Sequence, residues 1–98
     1  MSEKTKPVLT PGACFDHDLE NYYITVELPG VEKKDIEISA SEQSFCVKAS
    51  REDVDLLGCW YLGHPVNEDQ AKAKYKNGML YVIAPLKKPP KGKKIPIE

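Results

Sequence analysis

The stretch AKAKYKNGMLYVIAP, residues 71–85, carries the clearest structural signal in this chain of 98 residues. In its first half, apolar and lysine side chains alternate strictly, which is typical of a β-strand with one buried face. Its second half, MLYVIA, is apolar on both sides and predicts a central strand. Asn77-Gly78 lies between the halves, and this dipeptide favours a two-residue hairpin turn because both turn residues need positive φ.

The same alternation recurs through the middle of the chain. It occurs in three further segments: NYYITVE (21–27), DIEISAS (35–41) and SFCVKAS (44–50). Turn residues such as Pro29-Gly30 and Pro65 separate the segments, and VEKKD suits at most one helical turn. No stretch shows a convincing helical stripe of ten residues. Six or seven short strands with such punctuation predict an all-β fold, a compact sandwich.

Composition divides the chain into three parts. We expect a short flexible arm over residues 1–13, a folded domain over 14–86 and a flexible basic tail over 87–98. The tail holds five lysines and one glutamate, so it carries +4, whereas the whole chain carries −1 and the remainder therefore −5. Nucleic-acid binding needs a basic face on the folded domain. An acidic domain with a basic tail therefore argues against a nucleic-acid partner.

The composition also predicts where the protein acts. No apolar run is long enough to span a membrane, and the first residues lack the apolar region of a signal peptide. The chain has three cysteines, an odd number without close spacing. Such a set is a poor disulfide framework and suits a reducing compartment. The sequence therefore predicts a cytoplasmic protein that has no membrane partner.

The polar residues form no motif with an established chemistry. His17 follows Asp16, but no motif ties a nucleophile to this pair. Cys14 and His17 have metal-ligand spacing and Cys59 and His64 could complete a zinc site, yet nothing in the sequence brings the two pairs together. We therefore predict no catalytic residues, no metal site and no cofactor, and we do not expect an enzyme.

Three ordered motifs resemble the α-crystallin domain of the small heat shock proteins. They are Leu28-Pro29-Gly30-Val31 followed by Asp35-Ile36, Ala73-x-x-x-Asn77-Gly78-Met79-Leu80, and the ending Ile95-Pro96-Ile97. The resemblance covers roughly residues 15–98. It implies an immunoglobulin-like antiparallel β-sandwich of about seven strands. It also implies an ATP-independent chaperone that holds partly unfolded client proteins and associates with itself.

The resemblance further implies that the Ile95-Pro96-Ile97 ending docks in a groove of a neighbouring subunit. The groove lies between two strand edges, and six residues form its expected lining: Ile36, Ile38, Ala40, Ala71, Ala73 and Tyr75. An extended tail presents residues i and i+2 on one face, and the small alanines leave room for both isoleucines. Pro96 restricts the backbone and lowers the entropic cost of docking.

The sequence departs from the family pattern at three places. The arm is short, only EDVDLL separates Arg51 from Gly58, and Trp60 and His64-Pro65 stand where the family has an arginine and a Leu-Pro pair. The short connection leaves no room for the extra swapped strand of many members. LLGCWYL could instead pair with its own copy, and the expected dimer edge comprises Leu56, Leu57, Trp60 and Tyr61.

Two other interpretations remain open at this point. The first is a co-chaperone or adaptor similar to the CS-domain proteins, or a structural component of an assembly, without client-holding activity. The second is that Ile95 and Ile97 are incidental residues in a solvated tail. Truncation before Lys93 distinguishes these interpretations from a docking tail.

Overall fold

The computed structural model describes residues 6–87 and 94–98 and contains two four-stranded β-sheets packed face to face. The first sheet has the order β1-β6-β5-β4 and the second β2-β3-β8-β7. The strands are β1 Val8–Leu9, β2 Ala13–His17, β3 Asn21–Glu27, β4 Ile36–Ser41, β5 Ser44–Arg51, β6 Val54–Tyr61, β7 Lys72–Lys76 and β8 Met79–Pro85. The expected all-β sandwich is confirmed, with short 3₁₀ turns at Lys33–Asp35 and Glu68–Gln70.

The beginning of the chain joins the first sheet. Val8 and Leu9, which fall in the segment expected to be a flexible arm, pair with Asp55 and Leu56 of β6. This pairing is parallel, whereas all the other strand pairs are antiparallel. Residues 1–5 of the expected arm and residues 88–93 of the expected tail lie outside the described residues.

The core consists of the side chains that alternate toward the space between the sheets. Phe45, Leu28 and Leu62 are among the largest side chains that are almost fully buried. The predicted inward set of β3, which includes Ile24 and Val26, is buried as well. Burial of one such side chain stabilises the fold by about 1.5–3 kcal/mol, so period-two patterning determines which face of each strand turns inward.

The predicted β7–β8 hairpin is confirmed. Asn77 and Gly78 have φ values of 52° and 78°, the positive values that this two-residue turn requires. A Cβ at Gly78 would lie 3.2 Å from the Cα of Pro29, so the turn also needs glycine for close packing. The Leu28 backbone N–H donates to the Gly78 carbonyl over 2.8 Å. The hairpin turn therefore packs directly against the Leu-Pro-Gly turn after β3.

Tyr75 connects β7 to the same turn. Its hydroxyl oxygen lies 2.7 Å from the carbonyl oxygens of both Leu28 and Val31, and it donates to this pair. The two carbonyls belong to a bend where no strand partner is available to them. Tyr75 therefore holds the edge strand β7 in place against a separate part of the chain.

We expect Tyr75→Phe to lower the free energy of unfolding by about 1–2 kcal/mol, because it removes the hydroxyl donor from both carbonyls and leaves the Leu28 carbonyl with only the long 3.4 Å bond from the Val31 N–H. For a chain of this size the unfolding midpoint should fall by roughly 4–8 °C per kcal/mol. Tyr81→Phe is the matched control, since Tyr81 is 48% exposed and its hydroxyl makes no hydrogen bond among the described residues. Equal midpoints for the two variants in thermal unfolding would contradict the role of Tyr75.

Candidate functional site

A groove separates the two sheets along one side of the sandwich. β4 is the last strand of the first sheet and β7 the last strand of the second, so both have an unpaired edge here. The groove encloses about 190 Å³. Its lining residues are Ile38, Ser39, Ala40, Phe45, Glu68, Ala71, Lys72, Ala73 and Val82. The alanines at both edges keep the space between them unfilled.

Four of the six expected groove residues come together in this lining: Ile38, Ala40, Ala71 and Ala73. Phe45 and Val82 form the floor and were absent from the expected set, although the alternation on β5 already placed Phe45 on its apolar face. Both are buried core residues. The base of the groove is therefore part of the core, and a guest side chain would extend that core outward.

Ile36 and Tyr75 lie apart from this lining. Ile36 packs against the core at the start of β4 and borders a second, shallow depression together with Glu37 and Lys48. Tyr75 is half-buried, and its hydroxyl is committed to the Leu28 and Val31 carbonyls. These two residues lie where the groove between β4 and β7 ends, next to the Leu-Pro-Gly-Val turn.

The chain tip supplies apolar side chains that the fold leaves uncovered. Ile95 and Ile97 are 87% and 99% exposed, and residues 94–98 form no helix or strand. The tail starts near the end of β4, where the Lys87 ammonium lies 3.3 Å from the carboxylate of Glu42. The Lys87 backbone N–H also donates to the Pro65 carbonyl over 2.9 Å.

The expected dimer edge divides into an inner and an outer face. Leu56 is buried in the core, and Trp60 turns inward, where its ring centroid lies 5.5 Å from that of Phe15. Leu57 and Tyr61 point outward and are 48% and 76% exposed. Leu57 and Tyr61 are therefore the accessible members of this edge, whereas Trp60 is half-buried.

Gly58 explains the position of the Trp60 ring. A Cβ at Gly58 would lie 2.5 Å from the ring, so the indole occupies the space in which a side chain at position 58 would stand. The strand therefore has no inward side chain at position 58, and the Trp60 ring fills the space of both positions 58 and 60.

The backbone of β6 is free along part of its outer edge. The Asp55 N–H points away from β5, since it donates to the Pro7 carbonyl over 3.0 Å. Backbone groups alternate along a strand, so those of Leu57, Cys59 and Tyr61 point to the same side. β1 covers this side only at Asp55 and Leu56. Among the described residues, the edge from Leu57 to Tyr61 has no strand partner.

A small polar network holds the start of the chain on β6. The Ser50 hydroxyl donates to the Asp55 carboxylate over 2.7 Å, and the Lys6 ammonium lies 3.2 Å from the same carboxylate. These contacts, with Ser50 first and Lys6 second, lower the pKa of Asp55 below its usual value. A lowered pKa means that the contacts stabilise the fold at neutral pH and lose their effect as acid protonates the carboxylate.

A second carboxylate fixes the turn between β2 and β3. The pKa of Asp18 is lowered, first by the Asn21 N–H, then by the Glu20 N–H and the Tyr23 hydroxyl, all of which donate to it. The same contact with Asp18 raises the pKa of Tyr23. Both groups serve the turn, and neither lies in the groove.

The expectation of a poor disulfide framework is wrong for one pair. Cys46 on β5 lies directly opposite Cys59 on β6, and a disulfide joins them. Cys14 is exposed on β2 and remains a free thiol. Antiparallel pairing brings the two cysteines together, and their separation along the chain gives little indication of it.

The histidines of the zinc hypothesis do meet, but the full site does not form. The ring centroids of His17 and His64 are 4.5 Å apart, whereas Cys59 is bonded to Cys46. Over residues 6–87 and 94–98, no three His, Cys, Asp or Glu side chains are grouped so that they could hold a metal ion. In the same part of the chain, no helix has the length and apolar character needed to cross a bilayer.

Comparison with known proteins assigns the fold and the motifs to one family. The Hsp20/alpha crystallin family model matches residues 15–98. The probable 15 kDa heat shock protein of Leptospira interrogans is 31% identical over 106 aligned residues, which cover 90% of this chain and 82% of the relative. Small heat shock protein C2 of Rickettsia felis is 26% identical, and the match covers 99% of this chain and 73% of the relative.

Solved structures agree with this assignment at the level of the fold. Heat shock protein 16.0 from Schizosaccharomyces pombe superposes with a TM-score of 0.75 at 19% identity, covering 91% of this chain and 98% of the other. A truncated hsp14.1 from Sulfolobus gives a TM-score of 0.72 at 23% identity, covering 80% and 76%. By its motifs, its sandwich and these matches, the chain belongs to the Hsp20/alpha crystallin family of small heat shock proteins.

Proposed function

We propose that this protein is an ATP-independent holdase of the cytoplasm, which binds partly unfolded proteins and assembles with itself through its Ile95-Pro96-Ile97 tail. The observation that supports the tail docking is the match between an open apolar groove and an uncovered apolar tail. Ala71 and Ala73 leave space above a floor of core side chains, and Ile95 and Ile97 have no apolar surroundings of their own. The family membership supports the chaperone role.

The expected strength of docking explains why assembly would be reversible. Burying two isoleucines contributes roughly 3–6 kcal/mol before the costs of ordering the tail. A free energy of about 4 kcal/mol corresponds to a millimolar dissociation constant. One docked tail is therefore weak, and several tails that act on the same assembly are needed for a stable particle.

A second contact between copies would use the free edge of β6. Leu57, Cys59 and Tyr61 offer unpaired backbone groups, and Leu57 and Tyr61 add exposed apolar surface. An uncovered apolar edge strand readily pairs with another strand, and antiparallel pairing with a second copy would satisfy it. The β5–β6 connection consists of only two residues between Arg51 and Val54, which excludes a swapped strand from this loop.

Clients would find apolar surface on the outer face of the second sheet. Tyr23, Tyr81 and Ile83 are 37–48% exposed there and border a cleft of about 410 Å³ together with Lys72 and Lys74. Partly unfolded proteins expose apolar segments, and such a surface can bind them without side-chain-specific recognition. Neither this binding nor the assembly requires a cofactor or a covalent step.

The alternative function is a co-chaperone or adaptor built on the same sandwich. The two-residue β5–β6 connection favours it, because the family's swapped strand is missing. The two functions differ in what they require of the protein. A holdase must keep another protein from aggregating, whereas an adaptor only has to bind its own partner.

Purified protein should delay the aggregation of a heated or chemically reduced client without ATP. We expect light scattering of the client to fall in proportion to the added protein, with clear protection at equimolar subunits. An unrelated sandwich domain of equal mass is the control. Absence of protection at that ratio would favour the adaptor function.

Replacing both tail isoleucines should disrupt assembly. We expect Ile95→Ala with Ile97→Ala to remove most of the estimated 3–6 kcal/mol per docked tail and so to reduce the particle mass measured by light scattering. Lys94→Ala is the matched control, since it changes the same exposed tail and removes no apolar surface. Ala73→Trp should have the same effect from the receiving side, because the larger side chain fills the groove. Unchanged particle mass in both groove and tail variants would refute the docking.

Charge placed on the β6 edge should weaken the proposed dimer. Leu57→Lys puts two like charges close to the two-fold axis, and we expect at least a tenfold weaker dimer, about 1.4 kcal/mol. Tyr81→Lys is the control, since Tyr81 has the same 48% exposure on the other sheet. The measurement is mass against concentration by light scattering. A monomeric mass of the unaltered protein at tens of micromolar would already exclude this dimer.

A further inference from the structure

The hairpin of β5 and β6 brings two cysteines face to face. Arg51 pairs with Val54 across a two-residue turn, and the ladder continues to Cys46 opposite Cys59. The Cα atoms of the cysteines are 4.1 Å apart, the short spacing of a pair whose backbone groups do not bond to each other. Their side chains stand on the same outer face of the first sheet and are joined.

The pair is accessible to small reagents. Cys59 is exposed and Cys46 is half-buried, so neither sulfur belongs to the hydrophobic core. The third thiol, Cys14, lies on β2 in the other sheet. Exchange between the three cysteines within one folded chain is therefore disfavoured, and Cys46 and Cys59 are each other's natural partners.

We propose that Cys46 and Cys59 form a reversible thiol–disulfide site, oxidised by hydroperoxides and reduced by small thiols, that sets the stability of the hairpin carrying the free β6 edge. Disulfides in proteins of a reducing compartment are usually transient and redox-responsive rather than structural. Access to Cys59 and the fixed position of Cys46 as its resolving partner are two features typical of redox-responsive cysteines.

The oxidation proceeds in two balanced steps. The Cys59 thiolate attacks one oxygen of the hydroperoxide, the O–O bond breaks, an alcohol leaves (water, where the oxidant is hydrogen peroxide), and Cys59 becomes a sulfenic acid. The Cys46 thiol then attacks the Cys59 sulfur, the S–O bond breaks, water leaves and the disulfide forms. The two sulfurs lose two electrons together and the peroxide gains them. Reduction by two small thiols returns both cysteines and yields the disulfide of that thiol.

The disulfide would act on the edge through the hairpin. Closing the loop between Cys46 and Cys59 removes conformations from the unfolded chain, so the oxidised hairpin opens less often. The Gly58 and Trp60 amides point toward β5, because they alternate with the outward groups of Leu57, Cys59 and Tyr61. Their hydrogen exchange therefore reports opening of the hairpin directly. A hairpin that stays closed presents the outer edge already ordered for a partner strand.

The test compares oxidised and reduced protein in a Cys14→Ser background, which keeps the pair and removes the third thiol. Hydrogen peroxide serves as the oxidant and dithiothreitol as the reductant. We expect peroxide to lower the monomer mass by two hydrogen atoms, to raise the unfolding midpoint by at least about 5 °C, and to slow exchange of the Gly58 and Trp60 amides at least tenfold. Dithiothreitol should reverse all three changes.

Two further variants separate this site from the proposed edge dimer. Cys14→Ser with Cys46→Ser leaves Cys59 alone, and there the midpoint should not respond to peroxide. Adding Leu57→Lys to the Cys14→Ser protein removes edge pairing, and there the full redox response should persist. The proposal is overturned if the pair stays reduced under peroxide, if dithiothreitol fails to open the bond in the folded protein, or if oxidation leaves the midpoint and exchange unchanged.

Discussion

Small side chains at two neighbouring sheet edges leave the core of this sandwich open along one side. Ala40 on β4, Ala71 just before β7 and Ala73 on β7 are too short to meet across the gap, so Phe45 and Val82 lie at the bottom of a groove. Larger residues at these positions would complete the core and close the fold. The open groove therefore costs some packing energy. It leaves a space in which an apolar side chain from outside the domain could extend the core.

The strand that forms one wall of the groove is tied to a distant part of the chain. β7 has a strand partner on one side only, and the Tyr75 hydroxyl adds a further contact by donating to the turn after β3. That turn rests in its own right on the Asn77-Gly78 hairpin through the Leu28 amide. Leu28 and Gly78, which belong to the first two family motifs, thus meet at the turn to which Tyr75 donates.

Period-two patterning predicted the strands, the hairpin and the buried faces because each depends on local chemistry and on which face is apolar. The remaining features depend on contacts between distant parts of the chain, and these contacts limited what the pattern could predict. Tyr75 shares a face with Ala71 and Ala73, but its hydroxyl partners belong to a turn more than forty residues away. The cysteine pair depends on the β5–β6 register, which a turn centred on Glu52-Asp53 would have indicated. The parallel pairing of β1 is only two residues long and leaves no pattern.

The departure point of the tail has a consequence for how the groove is shared. Lys87 contacts Glu42, which follows β4 immediately, so the tail starts at the Ala40 end of its own chain's groove. If the tail docks as proposed, a groove and a tail that begin side by side can meet within one chain as well as between two chains. On dilution, fewer tails from neighbouring subunits would be available, and the groove would be occupied more often by the tail of its own chain. Such occupation would cover the apolar groove when no other subunit is near. The docked tail would thus prevent the groove of a dilute protein from binding unrelated apolar surfaces.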